Sequence, residues 1–145
     1  MRPILLALVA ALPLTAADID VGVIDQKAPK KDAVTAPKAD AKVGAVDLRG
    51  TVAGKAAKDE KRSLYVIVAP LGTDGKAETW WVQGEVETDK DGFTAAAQFG
   101  EEAAGAGEFF AVVAVATDKK WSVAETLTEL PADAGYSKVV IVKRK

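Results

Sequence analysis

The sequence contains no cysteine and no histidine. Without cysteine there is no disulfide, no thiolate nucleophile and no sulfur to carry a lipid after a leader. Without histidine the commonest general base, the usual serine triad and the histidine- or cysteine-ligated zinc sites are excluded. Carboxylates, lysine, tyrosine, serine and threonine are what remain for chemistry, and no cofactor is implied. Concentrated positive charge is also lacking: 19 Lys and Arg stand against 21 Asp and Glu, a net charge of −2. Nucleic-acid binding needs a basic surface that releases counterions from phosphates, so no nucleic-acid partner is expected. Long apolar runs are missing too. A spanning helix needs about 20 apolar residues, and the uncharged, mostly apolar stretch near the start covers only residues 4–14.

That stretch follows Arg2 and is followed by Thr15, Ala16, Ala17 and Asp18. One positive charge, a short apolar core and small residues at the end are the order of a secretory signal peptide. Residues 1–17 are therefore expected to be a leader cut after Ala17, with no transmembrane segment after its removal. The destination is secreted or periplasmic, in the cell envelope.

Residues 18–43 read as a flexible linker. Ala28-Pro29-Lys30-Lys31-Asp32-Ala33-Val34 is echoed by Ala36-Pro37-Lys38-Ala39-Asp40-Ala41. Such Ala/Pro/Lys/Asp tracts lack the large apolar groups that offset ordering entropy. Within them Val21, Val23 and Ile24 form the one segment able to add a strand. The folded domain is expected over 44–145. All nine aromatics, three Trp, two Tyr and four Phe, fall between Tyr65 and Tyr136, and large apolar groups build cores.

Inside that domain the apolar period is mostly two, the strand period. Val46, Leu48 and Val52 alternate with polar residues, and residues 64–68 are a β-branched and aromatic run stopped by Pro70. Asp91-Gly92 marks a turn, after which Phe93, Ala95, Ala97 and Phe99 alternate. Residues 109–116 suit a central strand, residues 139–142 a last one, and 100–107 a loop with three glycines. The expected fold is all-β: an immunoglobulin-like sandwich of six or seven strands. Trp121, Ala124, Leu127 and Leu130 fall at helical spacing before Pro131, so one short helical turn is expected near 121–130.

Several segments, in order, carry a resemblance. They are Asp47-Leu48-Arg49-Gly50-Thr51-Val52, Leu64-Tyr65-Val66-Ile67-Val68-Ala69-Pro70, Trp80-Trp81-Val82-Gln83-Gly84, Asp91-Gly92-Phe93, Phe99-Gly100, Gly107-Glu108-Phe109, Leu130-Pro131 and the final strand. Together they resemble an immunoglobulin-like accessory domain of bacterial envelope and secreted proteins. The resemblance implies a sandwich and an extracytoplasmic, non-catalytic part, and it brings no catalytic residue.

Trp80 and Trp81 are neighbours on an expected strand and so face opposite sides. With Trp80 packed inward beside Val82, Trp81 lies outward beside Gln83, a stacking group for a sugar or a partner side chain unless the linker or the Trp121 segment covers it. Trp81 and Gln83 are the candidate ligand-binding residues. Glu87, Asp89 and Asp91 alternate before Gly92 as a weak calcium candidate. No full calcium loop follows, and the solvent face of a hairpin strand explains them better. Glu85, Glu87, Glu101, Glu102, Glu108 and Glu125 form many carboxylate pairs without the signature of a hydrolase. Lys119-Lys120-Trp121 reads as a solvated loop. The expected function is non-catalytic binding, to an envelope protein or glycan. The alternatives are a small carbohydrate-binding module using Trp81 and, less favoured, a carboxylate-dependent hydrolase.

Overall fold

The structure is a computed structural model that describes residues 18–30, 33–38, 42–72, 75–90 and 92–145. The expected leader lies outside the described residues. Among the described residues eleven strands run in order: β1 (Asp18–Val23), β2 (Gly44–Val46), β3 (Arg49–Lys55), β4 (Ser63–Pro70), β5 (Trp80–Val82), β6 (Val86–Thr88), β7 (Phe93–Gln98), β8 (Phe109–Thr117), β9 (Thr126–Leu127), β10 (Gly135–Tyr136) and β11 (Val140–Arg144). They build a sandwich of two sheets. The larger has the order β9-β5-β4-β8-β11-β2, with β10 also pairing β8, and the smaller is β1-β3-β7-β6. The all-β sandwich expected from the period-two pattern is therefore present, with more strands than the six or seven counted.

Why each strand sits where it does follows from its pattern. β7 alternates buried and exposed without a break, as a strand with one wet face must. β8 is buried along almost its whole length because it lies between β4 and β11 with both faces covered. Its even-numbered residues Phe110, Val112 and Ala114 join Val66, Val68, Val52, Phe93 and Phe99 in the core between the sheets. Its odd-numbered residues Ala111, Val113 and Val115 join Ile67, Ala69, Trp80 and Tyr136 in a second core on the outer face of the larger sheet.

Both cores correct the linker expectation for 18–43. β1 pairs in parallel with β3 along Asp18↔Thr51 to Val23↔Lys55, burying Ile19 and Val21. Its register shifts between Asp20 and Gly22. There Gly22 takes φ 77°, and its N–H donates to Asp20 Oδ1 at 2.8 Å. Gly54 opposite has no room for a side chain: a Cβ would lie 2.6 Å from the Phe93 ring and 2.8 Å from the Gly22 carbonyl. The chain then crosses the outer face of the larger sheet. Gln26 exchanges two backbone hydrogen bonds with Tyr136, and Thr35 bridges Lys76. Val34 is buried against that face. β2 finally pairs in parallel with β11. The segment is poor in large apolar groups, but it covers a sheet face rich in them. Small Ala and Pro residues suit such a thin cover.

The expected helical turn near 121–130 is replaced by a turn and the two-residue strand β9, which pairs Trp80 and Trp81. Trp121, Leu127 and Leu130 do pack on one apolar surface, so the spacing reported a shared face reached without a helix. Ala124 is exposed and has φ 70°, the left-handed region that ends helical winding. Trp121 is held differently, by its ring 4.9 Å from that of Tyr65 and by its N–H donating to the Tyr65 hydroxyl at 3.0 Å.

Tyr136 is fully buried and its hydroxyl donates to the Pro131 carbonyl at 2.5 Å. Burial, and after it the negative charge of Asp133, pushes its phenol up to about 12. A free tyrosine ionises near pH 10, so the folded state holds this proton longer than the unfolded one. The stability it contributes is intact below about pH 10 and falls as pH rises toward about 12, by at most about 3 kcal/mol. A phenolate absorbance titration should show one tyrosine ionising only as the fold is lost. A Tyr136 that titrates near pH 10 while the protein stays folded would refute this.

Candidate cleft at the end of the sandwich

The register Val68↔Trp81 and Ile67↔Val82 settles which way the paired tryptophans face. Partners in register share a face, and Val68 belongs to the core between the sheets. Trp81 therefore faces the inter-sheet side, while Trp80 and Val82 belong to the outer core with Ile67. Exposure follows the expected ranking, 5 % for Trp80 and 45 % for Trp81, and the core that Trp80 enters is the one on the outer face of the larger sheet. Trp80 is the residue covered by the N-terminal segment and the Trp121 region. Trp81 looks into the gap between the sheets, at an end where the smaller sheet leaves it partly uncovered.

That gap is a cleft of ≈ 700 Å³. Its apolar surface comes from Val68, Pro70, Trp81, Ala97 and Phe110, and its polar edge from Arg49, Gln98, Glu101 and Glu108. Volumes of this size, apolar with a few polar groups, are typical of ligand sites. Val123 stands at its edge, 62 % exposed. The turn that displays Val123 is built for the task. Ala124 N–H donates to the Val82 carbonyl at 2.8 Å, Val82 N–H donates to the Glu125 carbonyl at 2.9 Å, and Glu125 Oε1 accepts from Ser122 N–H at 2.9 Å. These bonds hold a non-glycine residue at positive φ, which costs on the order of 1 kcal/mol or more.

Gln83 also lines the cleft, but both ends of its amide are engaged. Its Oε1 accepts from the Gln98 N–H at 2.8 Å and its Nε2 donates to the Trp81 carbonyl at 3.0 Å. The β6–β7 pairing stops at Val86↔Ala95, so on the side away from β3 the Gln98 N–H meets no described strand and the Gln83 side chain supplies the acceptor. Gln83 thus ties the two sheets together beneath Trp81.

Asp89 Oδ1 accepts from the Gly92 N–H at 2.9 Å and so shapes the β6–β7 turn. Glu87 lies exposed on β6, and Asp91 falls outside the described residues. Among the described residues no three Asp, Glu, His or Cys side chains gather to hold a metal ion. Of the six glutamates, Glu101 and Glu108 border the cleft, and Glu125 is spent on its turn. Lys120 Nζ donates to Ser63 Oγ at 2.7 Å.

Arg144 has no counterpart among the expected site residues. It is 8 % exposed, and its Nη1 donates to the carbonyls of Phe99 (3.0 Å), Glu101 (2.6 Å) and Ala104 (2.7 Å). The glycine-rich loop is therefore pinned and not loose. Strand parity holds the signal for this: Val142 faces the core, and Arg144 shares its side of β11. Comparison with protein-family models, with curated proteins and with solved structures found no match to this chain.

Proposed function

We propose that the protein works by binding and not by catalysis, as a domain exported to the cell envelope, with the cleft beside Trp81 as its binding surface. The observation that carries this reading is Trp81 itself, a large aromatic left 45 % exposed over an apolar cleft. Aromatic anchors of this kind dominate binding energetics. The leader-like order of residues 1–17 supports export. The resemblance to immunoglobulin-like envelope domains points the same way.

A protein partner that inserts an apolar side chain fits better than a glycan. Flat sugar platforms use more than one exposed aromatic, and Trp81 is the one aromatic left exposed among the described residues. The Tyr65 and Trp121 rings pack against each other at a tilt of 47°. Mass spectrometry of the exported protein is expected to find Asp18 at its start. Immobilised mature protein is expected to retain an envelope component that Trp81→Ala releases. Retention unchanged by Trp81→Ala would remove the cleft from consideration. Turnover of a polysaccharide or ester that disappears in Glu101→Gln or Glu108→Gln would overturn the non-catalytic reading.

A further inference from the structure

Loop 99–105 forms one wall of the cleft through Gly100, Glu101, Ala104 and Gly105. Left to itself, such a loop has little to fix its shape. It has two glycines at positive φ, 82° at Gly100 and 109° at Gly105, and one internal bridge, Glu101↔Ala104. What fixes it is a charge from the opposite end of the sequence. One nitrogen of Arg144 collects the three carbonyls of Phe99, Glu101 and Ala104. Among the described residues no carboxylate is paired with it. Burying a cation is expensive unless hydrogen bonds compensate it, and an apolar residue in its place is often better for stability alone. Here the guanidinium donates to the Phe99 carbonyl and adds a second donor to the Glu101 and Ala104 carbonyls, which also accept from the Ala104 and Glu101 N–H groups. The glycines belong to the same device. A Cβ at Gly100 would stand 2.7 Å from the Ala104 carbonyl oxygen and 3.1 Å from Nη1, and one at Gly105 2.9 Å from Nη1, so a side chain at either position would crowd the guanidinium.

We infer that Arg144 is the positioning residue of the cleft: it touches no guest, but it holds wall 99–105 in the form that an apolar guest meets beside Trp81. This rests on the cleft being the binding surface. A wall that must be ordered at the moment of binding lowers affinity by the fraction of time it is out of place.

The test uses the full mature chain, with the neutral apolar dye N-phenyl-1-naphthylamine as the probe. Dye affinity and amide hydrogen exchange over 99–106 are measured in wild type, Trp81→Ala, Arg144→Lys and Gly105→Ala. Arg144→Lys keeps the charge but loses the planar fork that spans several carbonyls. It is expected to melt cooperatively, to exchange faster over 99–106, and to bind the dye about tenfold more weakly. Gly105→Ala, which crowds the guanidinium from the loop side, is expected to do the same and serves if Arg144→Lys fails to fold. Faster exchange with unchanged dye affinity overturns the inference while the cleft reading stands. Unchanged exchange also overturns it. If Trp81→Ala leaves dye affinity unaltered, or wild type binds no dye, the cleft reading itself fails and this inference falls with it.

Discussion

A chain that begins at Val43 loses its cooperative melt. Ile19, Val21, Ile24 and Val34 are each at most 8 % exposed, and fully burying an aliphatic side chain contributes about 1.5–3 kcal/mol. Four of them amount to roughly 6–12 kcal/mol, as large as the whole stability of an ordinary domain at about 5–15 kcal/mol. The loss goes beyond those side chains. β3 becomes an open edge, and the outer core around Trp80 and Tyr136 loses part of its cover. Circular dichroism melts of the two chain lengths decide the matter. A truncated chain that melts cooperatively within a few degrees of the mature one would show that β1 and the covering segment are ornaments on an independent domain.

The second large effect separates adjacent tryptophans. Trp80→Ala empties a buried site in the outer core, and a buried large-to-small change at Trp costs about 3–5 kcal/mol. Trp81→Ala removes a side chain that is about half in water, and surface substitutions usually stay within about 0.5 kcal/mol. Urea titration should therefore displace the Trp80→Ala midpoint far below wild type and leave Trp81→Ala close to it. Equal losses would mean that Trp81 is a structural plug of the sandwich end, and the cleft would lose its status as a site.

The strands and the sandwich could be read from the sequence because alternation along residues 93–98 and the unbroken apolar run at 109–116 each admit one arrangement in a sheet. Exposure of Trp81 over Trp80 could be read as well. What escaped was the larger sheet's second core. A continuous apolar strand such as β8 announces that both its faces are covered, yet it does not say by what. The cover came from a segment whose own composition looks like a tether. Composition weighs the residues a segment carries and is blind to the apolar surface waiting on the other side. The same blindness hid which core Trp80 enters, because nothing in the strand's own pattern announces a second one. Arg144 escaped because its partners are backbone carbonyls some forty positions away, which no spacing rule can pair.

The pinning of loop 99–105 by Arg144 bears on when the protein can take shape. β8, the strand around which the larger sheet is assembled, borders β11, and among the described residues β2 pairs in that sheet with β11 alone. A nascent chain short of residues 140–144 lacks β8's neighbour, β2's partner and the cation that holds the loop. Non-local pairings of this kind form slowly, after the entropy of closing long loops has been met. Residues 140–144 must therefore be in place before the sandwich closes.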